Sequence, residues 1–229
     1  MAVRVDSDVD QAVASSAGDS VSEANLHIGA HAPGLMEAPP FAIPSKKLVM
    51  WLFIISDAVT FAALLFAYGY IKNASPNWPK PFKFSPSIIN VMLMTFILVS
   101  SSLTMLIATR AAKAGDKPRA IRWTFITVAG GVLFALLHIR EWMGLIAEGV
   151  KLFENPWGSP MFGATFFAIT GLHLTHVLGG VIALSVVALG YKRGRYKADD
   201  IEIWSLYWHF VDLVWMFVVP MVYLLNVAR

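Results

Sequence analysis

Four of the six histidines, His138, His173, His176 and His209, lie within long apolar runs of the chain, and Asp57, Glu141 and Asp212 lie there with them. An ionisable side chain near mid-bilayer costs about 2.5–3.5 kcal/mol on insertion scales, so each of these residues points to a partner, a proton or a ligand. His209 and Asp212 are three apart inside Tyr207–Trp215 and share a helical face, flanked by the indoles of Trp208 and Trp215. His173 and His176 share a face in the same way, and Gly171, Gly179 and Gly180 would let another helix approach closely. Asp57 lies roughly 15 Å along its helix at 1.5 Å per residue. A carboxyl group at that depth must be neutral, hydrogen-bonded, or turned towards water or a lipid headgroup. It reads either as a structural acid bonded to a neighbouring helix, for example to His209, or as a proton- or lipid-related group. Arg140 and Glu141 stand near the end of their apolar run, where both can snorkel and pair.

Two kinds of redox or metal chemistry fit these residue types only in part. A bis-histidine haem needs imidazoles from facing helices on opposite sides of a porphyrin. His173 and His176 cannot supply both, and His138 sits too near a helix end to be a good ligand. A copper or zinc site from His173, His176 and His209 is conceivable, but nothing in the spacing demands it. Hydrogen-bonded helix packing is the competing reading. The sequence has no cysteine, so disulfides, thiolate metal sites, iron–sulfur clusters and covalent haem attachment are excluded. It also has no P-loop and no pattern of repeated broken helices. Two other classes stay open at this point: a haem b-containing, quinone-reactive membrane anchor, and a small transporter.

The elements that position these residues are transmembrane helices. Of the 229 residues, 57% are hydrophobic and 14% charged, and the apolar residues gather in runs of about 20 or more, enough to cross about 30 Å of hydrocarbon. Five spans are predicted, near Lys47–Ile71, Ser87–Thr109, Ile121–Ala147, Met161–Tyr191 and Ile201–Val227. Residues 1–45 form a separate region with six acidic residues and one arginine before Lys46, and read as a solvated, mostly disordered cytoplasmic tail; residues 46–229 form the membrane domain. Twelve Lys and Arg fall on the side of the N-terminus and five on the other, which places the N-terminus in the cytoplasm and the C-terminus outside. Trp78 and Trp157, in the outer loops, read as interfacial anchors, and Pro220 as a kink in the last span. The net charge of +3 fits cytoplasmic loops and gives no reason to invoke nucleic acid.

Four motifs together resemble subunit III of the haem–copper respiratory oxidases, which serve cytochrome c oxidases and quinol oxidases. They are Leu52–Phe61 with Ser56-Asp57, Arg140-Glu141-Trp142, Phe166–Val177 with both histidines, and Tyr207–Trp215. The likeness runs from about Leu48 to Leu225 and matches the bacterial five-helix form. Asp57 stands where many members have Glu. The resemblance implies an all-α membrane protein whose helices one and two form a pair and three to five a trio, around a V-shaped cleft holding phospholipid. It implies a chain in the bacterial inner membrane that carries no haem or copper and no catalytic centre. Those redox groups would belong to partner subunits, with subunit I as the main contact, then subunit II and a small subunit IV. The complex would reduce O2 to water and translocate protons, and could join a respiratory supercomplex. On this reading Asp57, Glu141, His173, His176, His209 and Asp212 line the cleft or collect protons, with Trp51, Trp208 and Trp215 packing on acyl chains or helices.

Overall fold

The computed structural model describes residues 44–227; the acidic tail, residues 1–45, lies outside the described residues apart from its last two positions. The described chain is helical, with five helices long and apolar enough to cross a membrane. They are α1 (Ser45–Ala74), α2 (Ile89–Lys113), α3 (Lys117–Ala147), α4 (Met161–Lys192) and α5 (Ala198–Val218). A wide turn at Val219–Tyr223 and a 3₁₀ turn at Leu224–Asn226 prolong α5. The wide turn contains Pro220, which has no N–H to give to an ordinary helical rung. With the turns that prolong α5 to Asn226 included, each helix begins and ends within four residues of the predicted span. Several run past it by up to a turn, because backbone hydrogen bonding continues where the side chains become charged.

Local chemistry fixes the turns between helices. At the end of α2, Gly115 takes φ +78°, its N–H bonds to the carbonyl of Ala112, and the Asp116 N–H bonds to that of Ala111. Asp116 then caps α3, its side chain accepting from the Arg119 N–H at 3.1 Å, with Pro118 in the first turn. The α4–α5 turn repeats the device with Gly194 at φ +74°. Such short connections force α2 and α3, and α4 and α5, to run antiparallel as neighbours. Between α1 and α2 the chain instead crosses the bundle end through Pro76, Pro79, Pro81 and Pro86, none of which can continue a helix interior.

α2, α3, α4 and α5 form a four-helix ring: α2 packs on α3, α3 on α4, α4 on α5, and α5 back on α2. α1 lies outside this ring, against α5 and α4. This corrects the expected grouping of helices one and two as a pair, because α1 makes no substantial contact with α2. The reason lies on α5, whose indoles at 208 and 215 donate to hydroxyls of α2 and draw α2 into the ring. α1 contributes few buried side chains (Ile54, Phe61, Leu65 and Tyr68) and leaves Trp51, Leu52, Ile55, Val59 and Phe66 exposed. That apolar surface is what a helix facing lipid or another subunit must carry.

Candidate functional site

The first polar cluster lies on the seam between α1 and α4. His176 Nε2 is 3.0 Å from Asp57 Oδ2, and His176 Nδ1 is 2.8 Å from the carbonyl oxygen of Leu172. A carbonyl can only accept, so Nδ1 carries hydrogen. Nε2 and a bare carboxylate would then be two acceptors face to face unless one more proton lies between them. The pair is therefore a carboxylic acid donating to imidazole or a carboxylate facing imidazolium, and is neutral in both forms. Tyr207 of α5 donates its hydroxyl to the His176 carbonyl at 3.0 Å, and Phe61 sits edge-on to the imidazole at 5.3 Å. Asp57 is thus bonded to α4 through His176, not to His209 on α5. Its side chain and that of His176 remain 19% and 16% exposed, so the pair opens to the surface along the seam.

The second cluster lies inside the ring, towards the end where the chain terminates. His138 of α3 and His173 of α4 are fully buried. Trp215 of α5 stacks on His173 at 4.9 Å and meets His138 edge-on at 5.5 Å, and Phe134 packs against all three rings. Glu141, one turn beyond His138, has Oε2 3.5 Å from His138 Nδ1 and accepts the Tyr223 hydroxyl at 2.9 Å. His173 and His176 share a helix face by sequence, yet the structure divides them between these clusters. His138 was the histidine given least chemistry by its position, and it joins the core. A signal was present in the sequence: His138 and Glu141 are three apart and face the same way.

The tryptophans make the helix contacts. The Trp208 indole fills the centre of the ring, donating Nε1–H to Ser101 Oγ of α2 at 3.0 Å. Its six-membered ring lies against Gly131 of α3 and Gly180 of α4; a Cβ at Gly131 would lie 2.5 Å from Trp208, and one at Gly180 2.9 Å. Trp215 donates to Thr95 of α2 at 3.0 Å, two turns further along the same antiparallel register. His209 and Asp212 are half-buried; Asp212 lies beside Ser102 of α2 and close enough to His209 for their charges to interact, with one carboxyl oxygen unpartnered. Trp51 is exposed on the outer face of α1.

Two further groups were not singled out in the sequence. Asn226 is fully buried, accepts from Trp78 Nε1 at 3.1 Å and donates to the Tyr68 hydroxyl, so Trp78 closes the bundle end as well as marking an interface. At the other end Lys46 pairs with Asp200, while Lys47 and Lys113 both pair with Glu202, each at 2.9 Å. These contacts pin the starts of α1 and α5 to the end of α2. In the loop before α4, Lys151 and Glu154 pair at 2.7 Å; their hydrogen bond raises the lysine's pKa and lowers the glutamate's. Among the described residues no three His, Asp or Glu side chains gather as a metal ion would require.

Residues 18–227 match the family model described as cytochrome c oxidase subunit III. The chain belongs to that family. Quinol oxidase subunit 3 of Bacillus spizizenii is 32% identical over 184 residues, covering 79% of this chain and 87% of the relative. Cytochrome c oxidase subunit 3 of Bacillus sp. strain PS3 is 32% identical over 187 residues, covering 80% and 87%. A probable cytochrome c oxidase subunit 3 of Nocardia farcinica is 33% identical over 180 residues, covering 75% and 83%. Membership makes this chain an accessory subunit of a haem–copper oxidase and part of a multisubunit complex in a bacterial membrane. The relatives include both quinol and cytochrome c oxidases at nearly equal identity, so similarity does not assign the branch.

Proposed function

We propose that this chain is the non-catalytic subunit III of a proton-pumping terminal oxidase, binding phospholipid and sustaining proton uptake and the stability of subunit I. Haem and copper belong to the partner subunits, and the N-terminus faces the cytoplasm. The observation that carries this reading is the Asp57–His176 pair, a proton-sharing acid and base on a seam open to the surface. Beside it the outer face of α1, with Trp51, Leu52 and Ile55 exposed, offers the apolar surface that acyl chains or subunit I would cover. Subunit I would be the main contact, with subunit II and a small subunit IV nearby.

Asp57→Asn tests the proton part of this reading. The amide can donate to a neutral His176 Nε2, so the seam keeps its geometry and loses only the titratable proton. Oxidase turnover of the assembled complex should fall more at high pH, where protons are scarce, than at low pH. An unchanged pH–rate profile with normal assembly leaves Asp57 a structural carboxyl group.

A further inference from the structure

The proposed function makes no use of the His138–His173 core, which has the least satisfied polar groups among the described residues. None of the four ring nitrogens of these two buried histidines is hydrogen-bonded to protein; the nearest approach is His138 Nδ1 to Glu141 Oε2 at 3.5 Å. Every imidazole carries at least one N–H, and leaving a buried donor unpaired costs about 1–3 kcal/mol. Glu141 Oε1 and Trp142 Nε1 are also buried and unpartnered. His138 lies 5.3 Å from the Trp142 ring and 3.5 Å from Glu141, so the unsatisfied atoms occupy one neighbourhood. So many polar atoms together in an aromatic core call for small polar molecules that bridge them.

A second observation shows how such molecules would enter. A cavity of about 860 Å³ opens to the surface at the end of α3, lined by Lys80, Lys83, Asn90, Arg140, Glu141 and Glu148 among others. Room for one water is about 10–15 Å³, so the cavity admits many. Glu141 is only 8% exposed and borders this cavity, one oxygen held by Tyr223 and the other unpartnered. Lys80, Lys83 and Arg140 form no ion pair with any other described residue, so their charge is presented to the cavity itself.

We propose that water from this cavity bridges Glu141, His138 and His173, and that the three form an acid–base site exchanging one proton with the aqueous phase at the C-terminal end of the bundle. Within the site, the Glu141 carboxyl passes its proton through a bridging water to a ring nitrogen of His138, giving carboxylate and imidazolium; the reverse step restores both neutral groups. No electron moves, and the net charge changes only when a proton enters or leaves through the cavity. Tyr223 of the α5 extension holds the carboxylate, and the second base is His173 of α4. The charges facing the site are Arg140 of α3, Glu148 just past its end, and Lys80 and Lys83 of the connection between α1 and α2. Asp57 of α1 is bonded to His176 and is not part of it, and neither is the half-buried His209 of α5.

The test is infrared difference spectroscopy of the intact oxidase complex between acidic and alkaline buffers, in H2O and in D2O. The wild type should show a carboxyl band that titrates and shifts in D2O. Glu141→Gln, whose amide oxygen can still accept from Tyr223, should lose that band. His138→Phe should move its midpoint by about one pH unit or more, about 1.4 kcal/mol, as expected for losing a coupled base. Asp57→Asn should leave it in place, which separates this site from the seam. A wild type with no such band, a band that does not shift in D2O, or one that survives in Glu141→Gln overturns the proposal. Should Glu141→Gln fail to assemble, His138→Phe decides: a displaced midpoint supports the site and an unchanged one overturns it.

Discussion

α4 carries two histidines one helical step apart, and they have opposite surroundings. His176 faces outward into the seam with α1, where both ring nitrogens are bonded, one to a backbone carbonyl and one to Asp57. His173 faces inward, stacked on Trp215, with neither nitrogen bonded to protein. The seam is a satisfied, partly exposed pair, and the core is an aromatic box around unsatisfied groups. Polar residues in a membrane helix therefore have no common role, even when they share a face. What decides is whether the neighbouring helix brings a complementary group.

The largest effect should come from removing the walls that hold the core in shape. Gly131→Val places branched carbon where Trp208 and Val181 already lie within 2.7 Å of the first added atom. Overpacking of this kind costs about 1–3 kcal/mol, more where rigid rings cannot yield. The chain should be largely lost from the purified complex, as measured by subunit stoichiometry. Retention of the subunit would mean that Trp208 moves freely and the four-helix ring is loosely packed.

The two histidines themselves should separate next. His176→Ala strips Asp57 of its partner at about 1–3 kcal/mol, because a partly buried acceptor or donor then stands alone. His173→Phe keeps the ring shape and the stack on Trp215 while removing two nitrogens that bond no protein group, so its cost to stability should be smaller. Heating the complex and following release of the subunit compares them directly. Equal losses would abolish the distinction between seam and core.

The smallest effect is expected outside both regions, at Lys151 and Glu154. Their hydrogen bond lowers the glutamate's pKa and raises the lysine's, so any stabilisation exists between the two titrations. It fades as pH falls through the glutamate's range or rises through the lysine's. Both side chains are exposed to solvent, and such pairs contribute little. Glu154→Gln should leave the release temperature unchanged at neutral pH.

Hydropathy alone located all five helices to within four residues, because crossing a bilayer needs a run of apolar side chains of fixed length. Helix neighbours were not legible in the same way. In a membrane helix the lipid-facing and protein-facing residues are both apolar, so no apolar stripe marks the packed side. The pairing of helices one and two is implied by the family resemblance alone, and the contacts of α1 overturn it; His209 is only one example of a partner for Asp57, which meets His176 instead. The glycines were the better guide: Gly180 marks the close approach that admits Trp208. Asn226 gave no signal, since one amide at a chain end resembles any other until Tyr68 and Trp78 are seen around it.

The sequence by itself determined the solvent of this protein, the number of its spans, the polar residues inside them and, through four motifs, its family. Composition and length suffice for these because insertion into lipid is a property of each segment on its own. Only the tertiary structure decided that Trp208 fills the ring between Gly131 and Gly180, that His176 meets Asp57, and that His138, His173 and Glu141 share one buried site. Those pairings join helices whose contacts depend on side-chain shape and unmet hydrogen bonds. Neither exists until the helices are packed.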